Sequence, residues 1–183
     1  MSLFNKKIKI DNDRAIINKI QFELLNNSNI DEDRQVLANV KFPYNDKIET
    51  IDLLLLCKKG VFIIKPLTVV GEYIGGQFEN VWNVSGVKQL NPIQTTNRLS
   101  LGLKTFLKIN SKNVIPYIAL NNRSTIRDIP MINKKYRIVK ENDLYYFLGL
   151  HISILPNIFT DEDISRFKKK LNKSNMIKEL YES

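Results

Sequence analysis

Thr50-Ile51-Asp52-Leu53-Leu54-Leu55-Leu56 is followed, after a short turn beginning Cys57-Lys58-Lys59, by Gly60-Val61-Phe62-Ile63-Ile64-Lys65-Pro66-Leu67. Each apolar run has strand length, and an unbroken run of this kind marks a strand buried on both faces near the centre of a sheet. An acid, Asp52, heads the first run, and a base, Lys65, ends the second. Paired strands with a carboxylate on the first and charged groups at the end of the second frame a metal-dependent phosphodiesterase site. Carboxylates hold a divalent ion, the ion activates water and neutralises the scissile phosphate, and a lysine stabilises the developing charge. Here the second strand reads Lys65-Pro66-Leu67 where that chemistry needs an acid, a spacer and a lysine. The stretch therefore points to a nuclease-type fold and, in the same place, away from nuclease catalysis.

Upstream, Asn12 to Asn26 has helical spacing, with Ile16, Ile17, Ile20 and Leu24 on one face. Asp11, Asn12 or Asp13 is placed to cap it, and Asn26-Asn27-Ser28-Asn29 ends it. Val36, Ala38, Val40 and Phe42 alternate from Gln35 to Phe42, a strand with one buried face. Pro43-Tyr44-Asn45-Asp46 is a turn, and the next strand starts near Ile48. Downstream, Gly71 to Gly76 reads as a short strand or hairpin. Asn91-Pro92 opens a helix with Leu99, Leu103, Phe106 and Leu107 on its core face. Val114 to Leu120 and Tyr136 to Val139 are strands, Glu141 to Gly149 is helical, and Thr160-Asp161-Glu162-Asp163 opens a last helix ending near Asn172. This order predicts an α/β fold, a mixed central sheet flanked by helices, as one domain over residues 1–183. Its core spans about 12–129, with a C-terminal strand and helices over 130–183.

Of 183 residues, 43% are hydrophobic and 26% charged, an ordinary balance for a soluble globular chain. No apolar run approaches the ~20 residues a membrane helix needs, so no membrane association is expected. No apolar segment follows the N-terminal lysines, so no secretory signal is expected. A single cysteine, Cys57, excludes an internal disulfide and suits the cytoplasm; it reads as a small strand-end core residue. The formal charge is +9, and its placement is uneven. Asn83 to Lys140 holds eleven basic residues and one acid, Asp128, against seventeen basic and eighteen acidic residues elsewhere. Such a block suits a polyanionic partner, most naturally DNA. The plainer reading is a solvated lysine face in a chain rich in Lys, Asn and Ile. On the helix opened by Asn91-Pro92, Gln94, Asn97, Lys104 and Lys108 gather opposite the core face with Arg98 at the edge, which makes Gln94, Arg98, Lys104 and Lys108 the nucleic-acid-binding candidates.

Asp52 is the first candidate metal ligand, because an acid beside a buried run needs a partner; the plainer reading is a strand-end acid meeting solvent or a lysine. Asp13 is the second, on the helical face of Ile16, Ile20 and Leu24, or else a first-turn acid favoured by the helix dipole. Glu72 joins them if Pro66–Val70 folds back, and Lys65 supplies the catalytic charge from an earlier place on its strand, or is a solvated strand end. The lone His151, with one distant cysteine, makes no zinc site and reads as structural or surface. Gly71–Gly76 fits no phosphate-binding glycine loop. Trp82 reads as core, with base stacking as the sharper alternative.

Taken in order, the helix from Asn12, Val36–Phe42, Thr50-Ile51-Asp52, Gly60–Ile64, Gly71–Gly75, Trp82 and Asn91-Pro92-Ile93-Gln94 resemble the nuclease-related domain (NERD) family, relatives of the PD-(D/E)XK nucleases. The resemblance covers roughly Asn12 to Ile129 and implies a restriction-endonuclease-like core, magnesium or manganese as cofactor, and DNA as partner. It also implies a helix glutamate, an aspartate after isoleucine, and a Glu-x-Lys after the apolar strand. The aspartate falls on Asp52 and the helix acid near Asp13, while the Glu-x-Lys falls on Lys65-Pro66-Leu67 and is lost. The family's glutamine after Asn-Pro falls where Thr95 stands, one position beyond Gln94. A lysine in a ligand position opposes a cation, by about 4 kcal/mol per unit charge pair at ~4 Å and an effective dielectric near 20. The expectation is a cytoplasmic DNA-binding protein with a degenerate metal-dependent phosphodiesterase site built on Asp52, Asp13, Lys65 and Glu72. The alternative is a noncatalytic module whose nuclease fold binds a protein partner.

Overall fold

The two long apolar runs become the inner strands of a five-stranded sheet. The structure, a computed structural model, describes the backbone of residues 3–27, 30, 33–127 and 137–179 and the side chains of 13–27, 30, 33–127 and 137–175. In chain order the helices are α1 (Leu3–Asn26), α2 (Pro92–Leu107), α3 (Leu144–Ile154) and α4 (Asp161–Glu179). The strands are β1 (Gln35–Tyr44), β2 (Lys47–Cys57), β3 (Gly60–Leu67), β4 (Glu72–Ile74), β5 (Val81–Val84), β6 (Val87–Leu90), β7 (Val114–Leu120), β8 (Thr125–Arg127) and β9 (Arg137–Lys140). The main sheet has the order β1-β2-β3-β7-β9, and a second sheet has the order β6-β5-β4-β8. β1, β2 and β3 pair antiparallel, whereas β3, β7 and β9 pair parallel. The parallel β3–β7 pair requires a crossover, and α2 lies within it.

Leu53 to Cys57 are fully buried on both faces because helices cover both. On one face Leu53, Leu55, Phe62, Ile64 and Tyr117 meet Ile20 and Leu24 of α1 and Leu144 and Leu148 of α3. On the other, Leu54, Leu56, Val61 and Ile63 meet Leu99 and Leu103 of α2 and Phe167 and Leu171 of α4. Each such side chain contributes about 1.5–3 kcal/mol of burial. Gly102 lets α2 sit close on β1, since a Cβ there would lie 2.8 Å from Phe42 Cε2 and from Tyr44 Cγ.

One irregularity in this sheet positions the site. The β1–β2 register passes from Ala38–Leu53 to Val40–Ile51 and skips Asn39 and Asp52. Asn39 has φ 53°, left-handed backbone inside a strand, which Asn tolerates better than most residues. Val36 and Ala38 pack on the α1 side, while Val40 and Phe42 pack on the α2 side. Leu53 and Ile51 divide in the same way. The expectation of a single buried face on β1 is therefore corrected: alternation assigns faces only while the pleat is unbroken.

Other boundaries also move. α1 begins at Leu3, so Asp11, Asn12 and Asp13 lie inside the helix and do not cap it. Pro43 and Tyr44 belong to β1, and the turn is Asn45-Asp46, with φ 49° and 57°, the left-handed pair that a two-residue hairpin prefers. α4 continues past Asn172 to Glu179. The central sheet is joined by a second one, whose hairpin β5–β6 and strand β8 have too few residues to show a period in the sequence. Ser28-Asn29, Asp128, Lys134, Lys135 and Tyr136 lie outside the described residues. No helix among the described residues is long and apolar enough to cross a membrane.

Candidate functional site

Asp52 leaves β2 at the break in the ladder, and Lys65 leaves β3 one step beyond the Leu53–Ile64 pair. The two are cross-strand neighbours. Lys65 Nζ donates to Asp52 Oδ2 at 2.7 Å, with the side chains 31% and 24% exposed. Asp13 of α1 comes to the same place: it lines, with Lys65, Leu67, Tyr73, Trp82 and Thr95, a pocket of about 280 Å³. The pocket lies at the C-terminal end of β3, between α1, the first turn of α2 and the second sheet.

Its walls are tightly held. Burial first, and then the Asp13 carboxylate, push the Tyr73 phenol up to about 12, so it stays protonated and donates to the Val69 carbonyl at 2.6 Å. Trp82 is fully buried, and its indole N–H donates to the Gly76 carbonyl at 2.9 Å. A Cβ on Gly75 would fall 2.1 Å from Trp82 Cδ1, so the loop passes that ring only as glycine. Asn91 ties the loop to α2. Its Oδ1 accepts from the Ile93 and Gln94 N–H groups, and its Nδ2 donates to the Gly76, Gln77 and Glu79 carbonyls.

The remaining candidates are placed elsewhere or already engaged. Glu72, on β4, turns away from the pocket-lining Tyr73 and pairs with Arg127 at 2.8 Å. The Gln94 amide donates to the Gln77 carbonyl at 2.9 Å, and Arg98 pairs with Glu49 at 2.8 Å. Lys104 and Lys108 have no ion pair among the described residues, and a helical rise of ~1.5 Å per residue places Lys108 roughly 20 Å along α2 from Thr95. The basic block is spread over α2, β6, β8, β9 and the intervening turns, and Lys140 is spent on the Asn122 and Ser124 carbonyls. His151 lies on α3, between Tyr117 and Arg137. Sequence reasoning missed Glu49, whose side chain is 9% exposed. It sits beside the strand start near Ile48 as an ordinary polar residue; its signal was an acid at a position whose neighbour two residues on, Ile51, is core.

With this geometry in view, a family model described as "Nuclease-related domain" matches residues 14–121, more than half of the chain. The chain belongs to the nuclease-related domain family. Comparison with curated proteins and with solved structures gave no match.

NERD membership points in general terms to nuclease-like function and divalent-metal chemistry, so the donor set of this NERD chain is the test. Among the described residues no three His, Cys, Asp or Glu side chains come together as a metal-holding group. The free oxygens are few, since magnesium and manganese want about six oxygen ligands and Asp52 already faces an ammonium. Lys65 stands where the family resemblance implied a metal-binding glutamate. The residues present do not fit a divalent ion, because a fixed cation of the protein's own already neutralises Asp52.

Proposed function

We propose that this NERD chain is a DNA-binding protein on a restriction-endonuclease-like core, and that its metal-dependent phosphodiesterase site is degenerate because the Lys65 ammonium replaces the metal. The 2.7 Å contact between Lys65 Nζ and Asp52 Oδ2 carries this reading. An ammonium balances a carboxylate as a metal does, yet it has no coordination position for a water and does not bring a water's pKa near neutrality, so the step that makes hydroxide is lost. Asp52 and Lys65 then form an ion pair at the edge of the pocket that Asp13 also lines, and Glu72 serves Arg127 as counter-ion. DNA affinity rests on the +9 charge, with Lys104 and Lys108, without an ion pair among the described residues, as its cations on α2. The buried thiol of Cys57 suits the reducing cytoplasm.

Calorimetric titration with manganese tests the displaced-metal part. Wild type gives no saturable heat, while Lys65→Glu, which sets a third carboxylate beside Asp52 and Asp13, binds the ion. Binding by wild type that disappears in Asp52→Ala would overturn the proposal. Fluorescence anisotropy with duplex DNA at several salt concentrations tests the other part: the log–log salt slope falls by about one for each of Lys104→Ala and Lys108→Ala.

A second reading, a noncatalytic module for a protein partner, draws on the second sheet and its loops. Val87 is 56% exposed there, with Phe78 at 72% and Leu90 at 74%. Large apolar side chains left this exposed are what a protein partner would cover. Absence of DNA binding at moderate salt would favour this reading over the first.

A further inference from the structure

The edge strand β9 and helix α3 hold a second cluster that shares no lining residue with the Lys65 pocket. Arg137 stands opposite Tyr117 in the β7–β9 register, its guanidinium carbon 5.6 Å from the Tyr117 ring centre. Its Nη2 lies 3.3 Å from His151 Nε2. A guanidinium has only N–H groups to offer, so Nε2 accepts and the ring proton sits on Nδ1. That proton faces Tyr117 Oη at 3.0 Å, and the hydroxyl in turn donates to the Phe147 carbonyl at 3.4 Å. Burial, and then the Arg137 charge, hold His151 below its ordinary pKa, in keeping with a neutral ring.

Arg137 is thus held along one edge by His151 and across one face by Tyr117, and both holders are neutral. Arg98 and Arg127 end on carboxylates; Arg137, among the described residues, does not. A half-buried, fixed guanidinium with most of its donors unspent among the described residues is prepared for an anion with matching oxygens. Two pockets open beside it, and both are lined by Arg137 and His151. One, about 440 Å³, includes Ser111 and Lys112 and has no carboxylate among the described residues that line it. The other, about 640 Å³, has an apolar wall of Phe147, Leu150 and Ile154, with Asp143 also lining it. That wall stands in water: Leu150 is 52% and Ile154 74% exposed.

We propose that this cluster binds a phosphate monoester carried on a flat, largely apolar body, a nucleotide, either free or at the 5′ end of a strand. The phosphate sits between Arg137 and Lys112, because Asp143 repels it from the other side. The base lies against Phe147 and Leu150, whose exposed surface it covers. Both volumes fall within the ~300–1,000 Å³ usual for small-molecule sites. The site is independent of the Lys65 pocket, and either proposal can fail alone.

The test is calorimetric titration of the full chain with adenosine 5′-monophosphate, adenosine and inorganic phosphate. The nucleotide binds saturably, phosphate binds more weakly, and adenosine at least about tenfold more weakly. Arg137→Gln lowers nucleotide affinity at least about tenfold, Arg137→Lys restores part of it, and Lys65→Ala leaves it unchanged. If Arg137→Gln fails the circular-dichroism check of folding, Lys112→Ala, exposed and outside the strands, gives a several-fold loss instead. Anisotropy with 5′-phosphorylated and 5′-hydroxyl oligonucleotides assigns the source: preference for the phosphorylated end means a strand terminus, and equal binding means free nucleotide. Adenosine binding as tightly as its phosphate, unchanged affinity in the folded Arg137→Gln or Lys112→Ala variant, or no saturable binding by any of the three ligands would overturn the proposal.

Discussion

Two carboxylates leave β2, and each meets a cation from a neighbouring element. Asp52 and Lys65 are each partly exposed, so solvent screens the pair and its net contribution to stability is at most about 1 kcal/mol. Glu49 is different, because among the described residues only Arg98 pairs with its buried carboxylate. Arg98→Ala strands that carboxylate and costs about 2 kcal/mol, read as a fall in the urea midpoint; Glu49→Gln, with Arg98 kept, costs less. The opposite outcome, a loss from Glu49→Gln exceeding that from Arg98→Ala, would show that the pair is not the reason for the buried acid. Asn39 supplies the third residue-scale prediction. A β-branched side chain at its φ of 53° is strained by about 1–2 kcal/mol, so Asn39→Val destabilises while Asn39→Gly is close to neutral. Lys65 was legible as a misplaced base from the sequence alone. Glu49 and Asn39 were not, because only the burial of the first and the backbone of the second distinguish them from ordinary polar residues.

At the scale of elements, α2 and the Gly75–Glu79 loop are joined by one side chain. Asn91 is 1% exposed and engages both the first N–H groups of the helix and three loop carbonyls. Asn91→Ala loses the cap and leaves buried carbonyls short of donors, a cost of about 2–3 kcal/mol. Hydrogen exchange of residues 75–80 rises in that variant if the clamp holds the loop; unchanged protection would mean that Trp82 alone suffices. The Asn-Pro helix start was readable as a local signal. Its second function, reaching back across 12 to 15 residues of sequence, was not. The last helix shows the easier case: Thr160 and Asp163 bond reciprocally, each side chain accepting from the other's backbone N–H, as the Thr-x-x-Asp spacing predicts.

For the whole molecule, pH dependence follows from His151, packed between α3, β7 and β9. Its folded pKa lies below the unfolded value of 6.5, through burial and then Arg137. The unfolded chain therefore takes up the proton first as pH falls, so this contribution is complete above 6.5 and is lost as pH drops toward the folded value. Urea midpoints at about pH 7.5 and about pH 5.5 test this: wild type loses more stability across the interval than His151→Gln. Equal losses would mean that the ring titrates alike in both states. The charge surplus also changes meaning at this scale. In the sequence it is one block; folded, Arg98, Arg127, Arg137 and Lys140 have partners within the protein, and the other cations among the described residues lie on α2, β6 and the intervening turns.

The apolar runs around Asp52 and Lys65 were enough to identify two central strands, the nuclease-related pattern and the altered end of β3, because these depend on neighbours in sequence and on a period of two. Of the second sheet only β4, within the Gly71–Gly76 segment, was legible; β8 with three residues and β5 and β6 with four each escaped that reading. The change of face at Asn39 escaped it too, because a left-handed residue in a strand has no period to betray it. Tertiary structure alone decided that Lys65 of β3 meets Asp52 in the middle of β2 and that α1 brings Asp13 to a pocket Lys65 also lines. Such pairings depend on register and on helix placement, which burial of the entire core settles at once and no local stretch encodes.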